Sequence, residues 1–153
     1  MKMKKLSILA ALTVWIASHN LAIAEDVTVQ VEGAWSRASI LANRPGAAYM
    51  TITNNGDTLT TITSVKSEIA GKTEIHKSET KNGIATMTPS GAIDINPKEA
   101  VVLEPGGLHI MLMKLSKKLN KGDRFFVTLV FDQTPEVKVE VPVLEFTARG
   151  PQK

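Results

Sequence analysis

The sequence predicts an all-β fold, an antiparallel sandwich or barrel with Greek-key connections. Three observations predict this class. Short segments alternate apolar and polar residues, turn-forming residues separate them at intervals of about 8–12 residues, and no long stretch has the periodicity of an amphipathic helix. With 153 residues, the chain is expected to hold one folded domain, because domains commonly contain roughly 100–200 residues.

The first strands are predicted from alternation and composition. Residues 27–31 and 48–53 alternate apolar and polar side chains, and the second segment ends at the turn-forming run 54–57. Residues 59–65 are rich in threonine and other β-branched side chains, which fit the pleated surface of a sheet. These segments indicate three strands in the first half of the chain.

A hairpin is predicted around Asn82-Gly83. Segments 73–78 and 84–88 flank this dipeptide, and Asn-Gly favours a two-residue turn because both residues accept positive φ. Such a turn pairs Ser78 with Met87. A three-residue turn would change the register, so this pairing depends on the turn length.

The second half of the chain continues the pattern of short strands and turns. Residues 116–119 are expected to form one helical turn. Pro142 interrupts an alternating segment and favours an edge strand or a bulge there. Ten segments are candidate strands, and we expect eight or nine strands in total. The candidates are 27–31, 48–53, 59–65, 73–78, 84–88, 93–95, 100–103, 108–115, 125–131 and 137–146.

Residues 1–24 have the pattern of a secretory signal peptide. Three lysines precede the apolar run 6–17, and Ala22-Ile23-Ala24 forms a small-x-small cleavage site before Glu25. The apolar run is shorter than the roughly 20 residues that a membrane span needs. We therefore expect cleavage after Ala24 and a mature domain of residues 25–153 without a membrane span. A retained N-terminal anchor is the alternative.

The positive charge of the chain comes from this N-terminal segment. The formal charge of the whole chain is +3, from 18 Lys+Arg and 15 Asp+Glu. Removing residues 1–24 takes away three lysines and no acidic residue, which leaves 15 of each sign. Nucleic-acid binding rests on Lys and Arg neutralising phosphates, so a neutral mature domain is not expected to bind nucleic acid.

The absence of cysteine excludes several kinds of site. The sequence contains no Cys, and thiolates are needed for disulfides, thiolate zinc sites, iron–sulfur clusters, cysteine nucleophiles and blue-copper centres. A lipoprotein anchor on cysteine is not expected for the same reason. Any soft metal ion must therefore be bound by histidine and methionine.

Two histidines and two methionines fall on shared strand faces in residues 25–153. His76 is the diagonal neighbour of Met87 in the predicted hairpin, within reach of a long side chain. His109 and Met111 alternate along one strand and therefore share a face. Two imidazoles and two thioethers form a soft, uncharged ligand set that suits Cu(I).

The remaining methionines of this region are Met50 and Met113. Methionine in a strand more often packs in a core than binds a metal, and we interpret both residues in this way. Met113 nevertheless continues the face of His109 and Met111, so a contribution of either residue to the site stays open at the level of sequence.

The spacing of the four candidate ligands matches a known family. Ten residues separate His76 from Met87, twenty-one separate Met87 from His109, and one separates His109 from Met111. This H-x10-M-x21-H-x-M pattern resembles the signature of the periplasmic copper chaperones called PCu(A)C. The resemblance extends from Gly33 to Glu145 and includes the segments Trp35–Ala38, Gly46–Ile52 and Leu103–Leu112.

The resemblance implies a cupredoxin-like Greek-key β-barrel that binds Cu(I) in the periplasm and delivers it towards the CuA centre of cytochrome c oxidase. It implies Sco-type proteins and subunit II of that oxidase as partners. The ligands that carry over are His76, Met87, His109 and Met111. Two departures from the family pattern are Lys77-Ser78 in place of an extra methionine beside the first histidine, and a C-terminal tail without His or Met. A second copper site is therefore not expected.

We expect a copper-transfer protein that is not an enzyme, and two other functions remain as alternatives. The first is a structural or adhesive exported β-sandwich, in which the histidines and methionines have no metal role. The second is a redox or dismutase enzyme, although catalytic copper normally requires more than two imidazoles. A hydrolase is disfavoured because the sequence has no G-x-S-x-G motif, which places the nucleophile in many such enzymes.

Overall fold

The computed structural model describes residues 28–41 and 43–151, and these residues form ten strands and no helix. The all-β prediction is therefore confirmed. The predicted signal peptide lies outside the described residues. The strands are β1 (Val29–Arg37), β2 (Gly46–Asn54), β3 (Thr60–Lys66), β4 (Ala70–Lys81), β5 (Ile84–Pro89), β6 (Ile93–Ile95), β7 (Ala100–Leu103), β8 (Leu108–Leu115), β9 (Arg124–Phe131) and β10 (Val137–Leu144).

The strands follow the spatial order β5-β4-β8-β7-β2-β1-β10-β9-β3-β6. The first sheet contains β1, β2, β4, β5, β7 and β8, and the second sheet contains β3, β6, β9 and β10. A short parallel pairing of β1 with β10, with Ser36 opposite Val143, joins the two sheets. Non-consecutive neighbours such as β4 and β8 require the chain to cross over between distant strands.

The core is built from the inner faces of both sheets. In β9, alternate residues of 125–131 are buried, which is the pattern of a strand with one face in the core. In β8, Ile110 and Leu112 are fully buried within the core cluster. Successive strand residues point to opposite faces, so His109 and Met111 project from the other face of the first sheet.

The β4–β5 hairpin has the predicted two-residue turn. Asn82 and Gly83 have φ values of 53° and 78°, as both central residues of a type I′ turn require. Ser78 consequently lies opposite Met87. The register predicted from the Asn-Gly dipeptide is therefore confirmed.

The strand count and the extent of β1 differ from the prediction. Ten strands are present rather than eight or nine, because all ten candidate segments pair, including the short β6 and β7. Strand β1 extends to Arg37, beyond the predicted end at residue 31. A bulge between Glu32 and Trp35, with Gly33 at a φ of 61°, lets β1 continue past the irregularity.

One local prediction is wrong, and another holds only locally. Residues 116 and 117 form a bend, 118 and 119 are irregular, and no helical turn is present. The backbone donors bond elsewhere: Ser116 N–H donates to the carbonyl of Ile69, and Leu119 N–H donates to Ser39 Oγ, each at 2.9 Å. Strand β10 lies between β1 and β9 in the sheet order, but its pairing with β1 covers only Val143 and Leu144. Pro142 pairs only with Arg124 of β9, without a bulge, so it occupies a position that is locally an edge, as its lack of an N–H favours. The pairing with β1 begins at Val143, just after the residue that lacks an N–H. In the part of the chain that the structure describes, there is no helix long and apolar enough to cross a membrane.

Candidate metal centre

The two histidines of the described chain face each other on neighbouring strands. His76 of β4 lies directly opposite His109 of β8. Their ring centroids are 6.2 Å apart, and the rings are tilted by 51°. The residues are only 7% and 3% exposed, respectively. Two metal–imidazole bonds of roughly 2 Å each can bridge rings at this separation.

The β7–β8 turn orients the imidazole of His109. Its Nδ1 lies 3.1 Å from the carbonyl oxygen of Gly107, and a carbonyl can only accept, so Nδ1 carries the proton. The same carbonyl accepts a hydrogen bond from Ser78 N–H at 3.0 Å. The turn thus ties β4 to β8 and leaves the Nε2 lone pair of His109 available for a metal.

Glu74 orients the imidazole of His76. The Nε2 atom of His76 lies 3.2 Å from Glu74 Oε2, so Nε2–H donates to the carboxylate. Hydrogen bonds from Lys72 and then from His76 hold the pKa of Glu74 below its usual value, which keeps the carboxylate ionised. His76 Nδ1 is buried and has no hydrogen-bond partner among the described residues. Its unsatisfied lone pair fits a metal ligand, because buried polar atoms are otherwise nearly always paired.

The two candidate thioether ligands lie beside the histidine pair. Met87 is 56% exposed on the edge strand β5, and Met111 lies two residues beyond His109 on the same face of β8. Met87, His109 and Met111 line one open cleft of about 390 Å³. His76 does not line this cleft but lies directly opposite His109. The structure therefore brings the four predicted residues to one region of the first sheet.

The other two methionines lie outside this cleft. Met50 is 2% exposed within the core cluster, which confirms its interpretation as a core residue. Met113 lies opposite Lys72 at a half-buried position and belongs neither to the buried core cluster nor to the cleft lining. The core interpretation of Met113 is therefore wrong.

An aromatic pair and an arginine adjoin the cleft, and the sequence did not single them out as site residues. Tyr49 lines the cleft, and its ring centroid is 4.6 Å from that of Trp35. The guanidinium carbon of Arg37 lies 5.7 Å from the Trp35 ring centroid and 6.0 Å from that of Tyr49. Burial raises the pKa of Tyr49, and Arg37 partly opposes this shift. Trp35 and Arg37 are two residues apart, so both side chains lie on one face of β1. This spacing is the sequence signal that could have indicated a shared site.

The chemistry of this region is that of a soft-metal centre open to a partner. Two imidazole lone pairs and two thioethers carry no formal charge, and such ligands suit soft ions such as Cu(I). The histidines are buried, whereas Met87 is exposed, so a ligand can be exchanged from the cleft side. The fold and the side chains together define a β-domain that is able to hold a soft metal ion close to its surface.

The family follows from comparison with known sequences. Residues 29–143 match the family "LpqE-like: Putative lipoprotein LpqE-like", and the chain belongs to this family. "Putative lipoprotein Lxx21020" of Leifsonia xyli is 34% identical over 120 residues, which cover 78% of this chain and 71% of that protein. "Uncharacterized protein RP573" of Rickettsia prowazekii is 29% identical over 76% of this chain, and only 60% of its own length is matched.

Solved structures similar to this chain include PCuAC domains. The apo PCuAC domain of PmoF2 has a TM-score of 0.67 at 25% identity, covering 81% of this chain and 95% of its own. The copper-bound form of that domain has a TM-score of 0.65 at 26% identity, covering 77% and 93%. CuI-DR1885 from Deinococcus radiodurans has a TM-score of 0.53 at 26% identity, covering 73% and 75%. The PCu(A)C assignment and the cupredoxin-like fold are therefore confirmed.

Proposed function

We propose that residues 25–153 form a copper chaperone that binds one Cu(I) ion through His76, Met87, His109 and Met111. The observation that carries this proposal is the buried histidine pair, with centroids 6.2 Å apart and an unpartnered Nδ1 on His76 among the described residues. The copper-bound PmoF2 domain and CuI-DR1885 support copper as the ion.

The ligand set favours transfer of Cu(I) over permanent storage. Thioethers bind without losing a proton, so the methionine half of the site requires no proton release. Met87 lies at the exposed end of the cleft, where an incoming ligand can replace it. The two histidines remain oriented by Glu74 and Gly107 during such an exchange, because their hydrogen bonds do not involve Met87.

The proposed acceptor is the CuA centre in subunit II of cytochrome c oxidase, with Sco-type proteins as collaborators. This part of the proposal rests on the PCu(A)C family. It requires an exported chain, and the signal-peptide pattern of residues 1–24 supports export to the periplasm with cleavage after Ala24. The chain itself carries out no chemical conversion in this role, since Cu(I) enters and leaves in the same oxidation state.

Cu(I) competition with a colorimetric chelator tests the metal site. We expect one Cu(I) per chain, and a combined His109→Ala/Met111→Ala variant should lose binding at micromolar protein. Met113→Leu is the matched control, because Met113 lies on the same strand but outside the cleft; its affinity should equal that of the wild type. Absence of binding in the wild type, or unchanged binding in the double variant, would contradict the proposal and favour the structural β-sandwich.

Expression of the full chain in a bacterium with an outer membrane tests export. We expect the periplasmic fraction to contain a protein whose mass corresponds to a chain that begins at Glu25. Ala24→Tyr should block processing, since the cleavage site requires small residues, whereas Ser18→Ala outside that site should be processed normally. A cytoplasmic protein of unprocessed mass would contradict this part of the proposal.

A further inference from the structure

A continuous groove leads away from the candidate metal centre. The cleft beside His109 adjoins a second cleft of about 430 Å³, whose lining includes Ile40, Leu41 and Phe146. Six residues line both clefts, so the two form one groove. We call it the docking groove; its shared lining is Arg37, Arg44, Pro45, Gly46, Ala47 and Tyr49.

Large apolar side chains are exposed at both ends of the docking groove. Ile40, Leu41 and Phe146 are each more than half exposed at the far end, and Met87 is similarly exposed at the metal end. These are four of the eight large hydrophobic side chains that are exposed in the described part of the chain. Contiguous exposed apolar surface commonly marks a site of protein association, which favours a protein partner here.

The backbone at the far end of the docking groove is fixed by hydrogen bonds to distant segments. Ala38 N–H donates to the carbonyl of Leu144 at 2.9 Å, and Ser39 N–H donates to the carbonyl of Leu119 at 2.9 Å. Ser39 Oγ in turn accepts from Leu119 N–H. These hydrogen bonds hold the backbone next to the exposed apolar side chains in place, which suits docking without large rearrangement.

The charge of the docking groove is locally positive. Among the residues that the structure describes, its lining contains Arg37 and Arg44 and no Asp or Glu, although residues 25–153 are formally neutral. Arg37 is held in place because its Nε donates to the carbonyl of Ala148 at 2.7 Å. A Cu(I) ion on uncharged ligands adds a positive charge at the metal end, which the Glu74 carboxylate bonded to His76 partly offsets. A complementary partner therefore has an apolar surface bordered by carboxylates.

We propose that the docking groove receives the protein that accepts copper, and that this acceptor surrounds its own copper ligands with an apolar surface and acidic residues. The inference rests on the proposed function. Apolar contact at Ile40, Leu41 and Phe146 excludes water, and the arginines pair with acceptor carboxylates. The copper bond to the Met87 sulfur then breaks as a bond to an acceptor ligand forms. Cu(I) remains Cu(I), so no electron donor or acceptor is needed.

Copper transfer to the purified soluble domain of cytochrome c oxidase subunit II tests this inference. Ile40→Asp and Phe146→Asp should lower the second-order transfer rate about tenfold, with Cu(I) affinity unchanged because neither residue lines the metal end of the groove. Arg44→Glu should lower the rate by a similar factor and weaken its dependence on salt, as is typical of charges at the rim of an interface. Matched controls outside the docking groove are Ile84→Asp and Lys98→Glu, which should transfer copper at the wild-type rate.

The outcomes separate the docking groove from the proposed function. If the groove variants and the controls all transfer copper as fast as the wild type, the docking role of the groove is overturned and copper delivery is left intact. Failure of the copper-loaded wild type to transfer any copper would overturn delivery to this acceptor, and the docking role with it. A loss in the groove variants alone, with circular dichroism and Cu(I) affinity unchanged, is the supporting result.

Discussion

Glu74 determines which nitrogen of His76 is available to a metal. Its carboxylate accepts the Nε2 proton of His76, so the buried Nδ1 atom keeps its lone pair. In His109 the assignment is reversed, since Nδ1 donates to the carbonyl of Gly107 and Nε2 stays free. Partners of this kind fix the tautomer of a ligating histidine, and their loss typically costs about 10–100-fold in metal affinity.

We predict that Glu74→Ala lowers the affinity for Cu(I) by about 10–100-fold, because His76 can then adopt the tautomer with a proton on Nδ1. Glu74→Gln should lose less Cu(I) affinity, since its amide oxygen can still accept the hydrogen bond from Nε2–H of His76. The measurement is chelator competition together with ¹⁵N NMR of the imidazole nitrogens.

The control for this prediction is Glu79→Ala on the same strand. Glu79 is exposed and paired with Lys77 at 2.8 Å, so its loss should leave Cu(I) affinity unchanged. A wild-type His76 that is protonated at Nδ1, or an unchanged affinity in Glu74→Ala, would contradict the role assigned to Glu74.

At the residue scale, the sequence predicts the candidate ligands better than their surroundings. His76 and His109 are the only histidines after residue 24, and their spacing to the methionines suffices to propose a site. Glu74 could have been predicted by the same reasoning, because a residue two positions before His76 shares its strand face. Arg44 could not have been predicted, since it lies in a loop whose approach to the cleft depends on how the whole chain folds.

At the scale of the element, strand β5 carries Met87 without contributing to the core. All of its residues are exposed, and it lies at the edge of the first sheet. Neighbouring strand positions face opposite sides. Exchanging Met87 with Thr88 therefore moves the thioether to the opposite face while preserving the composition of the strand.

We predict that the double variant Met87→Thr/Thr88→Met loses as much Cu(I) affinity as Met87→Ala, because the thioether then points away from His109. Thermal stability should change little, since substitutions at exposed positions usually cost less than about 0.5 kcal/mol. Competition titration and thermal unfolding measure the two effects. Wild-type affinity in the exchanged variant would mean that Met87 is not a ligand.

Local elements could be predicted from the sequence, but long-range pairings could not. The Asn82-Gly83 turn sets the β4–β5 register through the backbone preferences of two adjacent residues. The parallel pairing of β1 with β10 joins Ser36 to Val143, and no local pattern specifies a partner so far away in the sequence. For the same reason, the sequence around Pro142 could not show that the end of β10, at Val143 and Leu144, pairs with β1.

At the scale of the whole molecule, folding separates charge that the composition averages out. Residues 25–153 hold equal numbers of acidic and basic residues, yet Arg37 and Arg44 line a groove whose described lining includes no carboxylate. Net charge therefore weakens the case for nucleic-acid binding but says nothing about the local field beside the metal centre. That field is set by which loop and strand the fold brings together.

The whole molecule also separates the residues that stabilise the fold from those proposed to bind copper. Ile110 is fully buried in the core between the sheets, whereas its neighbours His109 and Met111 lie on the opposite face of β8. We predict that Ile110→Ala lowers the free energy of unfolding by about 2–5 kcal/mol and retains Cu(I) affinity while it is folded. Met111→Ala should lose affinity at a much smaller cost in stability.

Urea unfolding followed by Trp35 fluorescence measures these stabilities. Trp35 is the only tryptophan after residue 24 and is buried in the first sheet, so its emission reports unfolding of the domain. A ligand that binds only the folded state raises its stability; excess Cu(I) should therefore stabilise Ile110→Ala as much as the wild type, and Met111→Ala much less. Equal stabilisation of both variants would mean that Met111 does not bind copper, whereas lost binding in folded Ile110→Ala would mean that the metal centre depends on core packing through β8.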